Sequence, residues 1–125
     1  KARIEAAKAQ HLLITKFLTL EYARCEIDDT HIMVLNMYAF KGKSMPYKYA
    51  CRLPTSSYDK ELAIHFSFTN KNAWTGEDCC HGGHWRPPTI GQTTILDNSS
   101  PRSMLIQTNI GDEILKTVIL NQAYW

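Results

Sequence analysis

HLLITKFLTLEYA, residues 11–23, decides how this chain is built, because it reads with two periods. Taken in twos, Ile14, Lys16, Leu18, Leu20 and Tyr22 alternate with Thr15, Phe17, Thr19, Glu21 and Ala23. With Thr and aromatics present, that alternation predicts a long strand, whose side chains point to opposite faces in turn. The competing reading is a helix continued from upstream. Residues 1–10, KARIEAAKAQ, are rich in strong helix formers and set Ile4, Ala7 and His11 at helical spacing. The expectation is a short amphipathic N-terminal helix followed by a strand from Leu12.

Downstream, Asp28-Asp29 marks a turn before HIMVLNMYAF (31–40), and Lys41-Gly42-Lys43-Ser44 marks another before MPYKYACRLP (45–54). Three strands in meander order follow from this reading. After the polar TSSYDKE (55–61), the stretch LAIHFSFTN (62–70) alternates Leu62, Ile64, Phe66 and Phe68 with Ala63, His65, Ser67 and Thr69. It is expected to be the clearest strand. Residues 71–92 contain Gly76, Gly82, Gly83, Pro87, Pro88 and Gly91, which predicts a long loop of the functional or tied-down kind. TTILD (93–97), MLIQTNI (104–110) and ILKTVILNQAYW (114–125) complete the strands, the last two joined at Gly111-Asp112-Glu113 as a hairpin. The fold class expected is mostly β: an antiparallel β-sandwich or barrel of about seven strands with a short N-terminal helix. Residues 1–125 are expected to form a single domain. No internal repeat, heptad pattern or low-complexity tract is found.

A hydrophobic content of 44% with 21% charged residues points to a packed core and away from disorder. The longest apolar runs, Leu12 to Ile14 and Ile32 to Leu35, fall far short of the ~20 residues that cross a bilayer, so no membrane span is expected. The net charge of +2 is unevenly placed: residues 1–52 hold nine Lys or Arg against five acids, and 53–125 hold five against seven. The basic residues are scattered singly, and nucleic acid is not an expected partner. Lys1 in first position suits a chain left after leader removal or a trimmed piece of a longer one. Asn98-Ser99-Ser100 fits the N-glycosylation pattern in a surface turn before Pro101. With four cysteines, these features lead to the expectation of a secreted or extracellular protein.

GEDCCHGGHW, residues 76–85, concentrates the chemistry-bearing residue types. The four cysteines, Cys25, Cys51, Cys79 and Cys80, allow three complete pairings. In the expected meander Cys25 and Cys51 flank a middle strand at about 10 Å, beyond the ~7 Å reach of a disulfide. A bond between neighbours requires strained geometry. What remains is cross-pairing of Cys25 and Cys51 with Cys79 and Cys80, stapling the loop to the sheet, or free thiols. Cys79, Cys80, His81 and His84, helped by His65, Glu77 or Asp78, supply metal-ligand types, but not the two separated pairs of common zinc loops. No metal or cofactor is expected. His65, Glu77, His81, His84 and Arg86 are the acid, base and anion-stabilising types of a hydrolase or nuclease. No phosphate loop, nucleophile elbow or zinc helix accompanies them.

Trp74 and Trp85 bracket the cysteines, Tyr58 precedes the loop, and Asn70, Asn72, Gln92 and Asp97 add planar polar groups. Flat aromatics beside such groups suit a sugar ring or a protein surface. Tyr47 and Tyr49, two apart, offer a second aromatic pair. The functional expectation is therefore a non-enzymatic recognition protein that binds a glycan or a protein partner through loop 71–92. Its expected contacts are Trp74, Trp85, His84, Arg86, Asn72 and Tyr58. Two alternatives stand beside it: a secreted effector or toxin-like protein acting on a host protein, and a small hydrolase or nuclease using His65, His84 and Arg86. The strand count makes the architecture similar to lectin-like, carbohydrate-binding sandwiches, an analogy of architecture alone.

Overall fold

The computed structural model describes residues 1–38, 44–98 and 102–123. Its first element is a helix, α1, Ala2–Ile27, 26 residues long. Residues 12–23, expected as a strand, lie inside it. Ala7, His11, Ile14, Leu18, Tyr22 and Cys25 recur at three- and four-residue steps and are all buried, which is the spacing of one helical face. Leu12, Leu13 and Leu20 point the other way and are exposed. Apolar residues on both sides of one helix mimic the alternation of a strand, and that misled the two-residue reading. Asp28 ends the helix in an extended conformation, its N–H donating to the Arg24 carbonyl, and its side chain then accepts from the Thr30 N–H and hydroxyl.

A hairpin follows. β1 (Ile32–Tyr38) pairs antiparallel with β2 (Ser44–Ala50), with Ile32 opposite Ala50 and Leu35 opposite Tyr47. Both strands were expected; the turn at Lys41–Lys43 lies outside the described residues. The segment 62–70 is a second correction. Instead of the clearest strand it supplies most of a helix, α2, Asp59–Ser67. Leu62, Ala63 and Phe66 form its buried stripe, and Asp59 and Glu61 place carboxylates in the first turn, where the helix dipole favours them. These acids belong to TSSYDKE, expected as a polar loop, whose last three residues instead open the helix.

The second sheet has the order β3-β4-β5-β6: β3 (Cys80–Gly82), β4 (Thr93–Asp97), β5 (Ser103–Asn109) and β6 (Ile114–Leu120). The last three match the expected strands, and the β5–β6 hairpin turns at Gly111, whose φ of +112° favours glycine. β3 runs parallel to β4, so the sheet is mixed. Among the described residues, six strands in two sheets of two and four, neither closed on itself, and a 26-residue helix replace the expected antiparallel sandwich or barrel of about seven strands with its short helix.

α1 lies across β5 and β6, and α2 lies against β1, β3 and β4. One hydrophobic cluster therefore draws on both helices and both sheets: Ile14, Leu18 and Tyr22, then Met33 and Leu35, Leu62 and Phe66, then Ile95, Met104, Ile106 and Ile119. The N-terminal half of α1 meets the sheet through polar groups instead. Gln10 Nε2 donates to Thr93 Oγ1 (2.8 Å), the Thr93 and Thr108 hydroxyls are 2.7 Å apart, and the His11 ring bridges the hydroxyls of Thr108 and Thr117. Burial without counter-charge pushes the His11 pKa down from its ordinary value.

The disulfides are Cys25–Cys51, which the expected meander disfavoured, and Cys79–Cys80, which the strain expected between neighbours disfavoured. The meander fails for the first because Cys25 sits on the last turn of α1 and not on a flanking strand, which leaves its Cα 5.7 Å from that of Cys51; the second forms between neighbours despite the expectation. No cysteine is free, and none staples the loop to the hairpin.

Candidate functional site

Loop 71–92 is tied down by its own backbone and one amide. Asn72 is buried: its Nδ2 donates to the Ile90 carbonyl (2.9 Å), and its Oδ1 accepts from the Trp74 N–H (2.8 Å). It joins the two ends of the loop and has no surface for a ligand. Trp74, half-buried, lies over Gly91, where an added Cβ would sit 2.7 Å from the indole and collide with the Asn72 amide. Trp74 therefore plugs the loop base. Between these points β3 docks on α2 so closely that a Cβ at Gly82 would be 2.6 Å from the Asp59 carbonyl oxygen.

Trp85, in contrast, is 74% exposed. It borders a groove of about 460 Å³ together with Gly83, Leu96, Asp97, Asn98 and Leu105. Asp97 alternates to one face of the sheet, where its carboxyl hydrogen-bonds that of Asp59, whereas Leu96 and Leu105 lie on the other, turned away from α1. His81, Thr94, Gln107 and Lys116 form a row across the four strands on that same face, by register. Two atoms of this row, Thr94 Oγ1 and Gln107 Oε1, are buried without a hydrogen-bond partner. His84 and Arg86 are exposed beside Trp85. The structure gathers His81, His84 and Arg86: burial first, then the neighbouring Arg86 and His84 side chains, hold the His81 pKa below its ordinary value.

The other predicted residues lie elsewhere. Tyr58 is in the core, 2% exposed, its hydroxyl 2.7 Å from that of Tyr22, so it is removed from the contact set. Burial is the main reason its pKa is pushed up to about 12. His65 is on α2 rather than on the polar face of a strand. Its Nδ1 accepts the Asn36 N–H (2.8 Å), and burial lowers its pKa. The groove it lines is walled by Leu13, Phe17, Phe66 and Phe68, and neither His84 nor Arg86 reaches it. Glu77 is exposed, and Asp78 pairs with Lys71 at 2.7 Å. Among the described residues no three His, Cys, Asp or Glu side chains converge as a metal set. The sequon begins at Asn98, and Ser99 to Pro101 lie outside the described residues. Tyr47 is exposed, whereas Tyr49 packs against the core.

The surface that sequence reasoning missed is the outer face of α1. Leu12, Leu13, Leu20 and Ile27 are exposed by 50, 47, 51 and 88%, with Ala9 and Ala23 on the same side. Their recurrence about every turn was the available signal, hidden because the inner face is apolar too. Lys8, Lys16 and Arg24 flank or interrupt this stripe. Lys8 reaches Glu5 at 3.7 Å.

The two disulfides accompany a β-rich fold and, among the described residues, no helix long and apolar enough to cross a membrane. No family model, no curated protein and no solved structure matches the chain.

Proposed function

We propose that this chain is a non-enzymatic recognition protein whose partner is another protein, seated on the outer face of α1. The observation that carries this reading is a helix apolar on both sides. A surface helix of a monomeric domain has one apolar stripe, and a helix apolar all round is a buried helix. The inner stripe of α1 is spent on the core; the leucines opposite it remain for a partner. Basic residues along the stripe favour a partner with acidic groups at its rim. Recognition rather than catalysis is supported by the dispersal of the candidate acid–base residues between two separate grooves. The test is a photo-crosslinking amino acid at Leu20 in the producing cell, with one at exposed Asp112 as the control. A discrete protein adduct from position 20 alone is expected, and no adduct, or the same adduct from both, contradicts the proposal.

A second reading is favoured by one observation, an exposed indole beside an amide. Trp85 and Asn98 around one groove suit a sugar ring, its C–H face on the indole and its hydroxyls on the amide. A glycan array should then give a signal that Trp85→Ala removes, and a flat array discards this reading. Extracellular residence and an effector role belong to the same proposal; the disulfides support the first.

A further inference from the structure

We propose that the Cys79–Cys80 disulfide is a thiol-exchange site, opened by a low-molecular-weight thiol while Cys25–Cys51 stays closed. The two bonds differ in access. Cys25 and Cys51 are 5% and 4% exposed, and Cys79 is fully buried, whereas Cys80 is only partly buried, so an attacking thiolate reaches this pair from the Cys80 side. They also differ in what they hold. Cys25–Cys51 ties the end of α1 to the end of the hairpin across 26 residues, whereas Cys79–Cys80 joins neighbours and closes no chain loop.

The backbone around the pair is fixed without the bond. Cys79 N–H donates to the Asn70 carbonyl (3.3 Å), the Cys79 carbonyl accepts from Thr93 N–H (2.9 Å), and β3 pairs with β4. Opening the bond therefore leaves the fold in place, the condition for a reversible covalent site. The neighbourhood also attracts an anionic reagent: His84 and Arg86 are exposed nearby, and Asp78 is engaged by Lys71.

The exchange balances in two steps. A reagent thiolate forms a bond to Cys80 Sγ as the Cys79–Cys80 bond breaks, and the electron pair leaves on Cys79 Sγ. Ser67 Oγ, 3.8 Å from that sulfur, is placed to donate to the thiolate. A second reagent thiolate then attacks the reagent sulfur of the mixed disulfide, releasing Cys80 as a thiolate and the reagent as its own disulfide. The two protons given up by the reagent thiols end on the cysteines. Two electrons pass from two thiols to one protein disulfide, and no further oxidant or reductant is needed.

The test uses reduced glutathione on the full chain at neutral pH, with quenching by an alkylating agent at timed intervals and peptide mapping. Single-glutathione adducts at Cys80, and alkylation at Cys79 and Cys80, are expected at least about tenfold faster than either at Cys25 and Cys51. The circular dichroism spectrum should stay unchanged throughout. A Cys79→Ser, Cys80→Ser chain should show neither signal at those positions. Opening of Cys25–Cys51 first or at an equal rate overturns the proposal, as does reaction at Cys79 and Cys80 only when the fold is lost, or none under native conditions.

Discussion

The imidazole of His11 spans two strands, with Nδ1 2.8 Å from Thr108 Oγ1 on β5 and Nε2 2.8 Å from Thr117 Oγ1 on β6. It fastens the N-terminal half of α1 to the sheet while remaining neutral, because burial depresses its pKa. A histidine with a depressed folded pKa binds fewer protons in the native state than in the unfolded one. Its contribution is complete above the ordinary value near 6.5 and is lost as pH falls from there toward the folded pKa. Unfolding free energy should therefore decline below about pH 6.5, with His65 and His81 adding in the same direction. His11→Gln should flatten that decline by up to about one proton's worth, measured by urea titration at several pH values. An unchanged slope would mean that His11 is solvated.

Leu18 and Leu20 separate the helix from the strand directly. Two residues apart, they share a face in a strand and lie on opposite sides of a helix. Leu18 is fully buried and Leu20 is half out. Leu18→Ala should cost about 2–5 kcal/mol, and Leu20→Ala about 0.5 kcal/mol or less, in equilibrium unfolding. Equal costs would restore the strand.

The threonines of β4 are neighbours with opposite fates. Thr93 Oγ1 is hydrogen-bonded by Gln10 and Thr108, whereas Thr94 Oγ1 is buried with no partner. Thr93→Val should lose about 1–3 kcal/mol, since it strands two polar groups. Thr94→Val removes an unpaired hydroxyl and should be neutral or stabilising by about 1 kcal/mol. Reversal of that order in thermal melts would contradict the arrangement of the seam.

Gly82 and Gly76 test close approach against backbone conformation. A Cβ at Gly82 meets the Asp59 and Ile95 carbonyl oxygens at 2.6 and 3.0 Å, so Gly82→Ala must push β3 off α2. A cost of about 1–3 kcal/mol is expected. At Gly76 nothing lies within 4 Å, and only a φ of +75° opposes substitution, which should cost about 1 kcal/mol. A harmless Gly82→Ala would place α2 farther from the sheet.

How much of this was legible depends on which forces are local. The β4 span, the β5–β6 hairpin and the two strands of the first hairpin follow from alternation bounded by turn residues, and each starts within a residue of the expected position, although β2 ends at Ala50 and β6 at Leu120, short of the expected 54 and 125. α1 and α2 did not, for one reason. In both, residues two apart are apolar, and alternation cannot distinguish a half-buried strand from a helix with two apolar faces. Ile14, Leu18, Tyr22 and Cys25 carried the helical spacing all along. The Cys25–Cys51 bond was hidden as a consequence, because Cys25 belongs to a helix end and not to a flanking strand. At the candidate site Trp85, His84 and Arg86 are exposed as anticipated. Asn72, Trp74 and Tyr58 serve the loop and the core, a distinction set by tertiary contacts that composition does not record.

The central claim is that the leucines outside α1 exist for a partner and not for the fold. The most direct measurement places a photo-crosslinker at Ala23 in a Leu12→Glu, Leu20→Glu chain and compares adduct yield and unfolding free energy with the parent. The account predicts loss of the adduct, with stability within about 0.5 kcal/mol of the parent. An adduct that persists, or one lost only together with the fold, contradicts it.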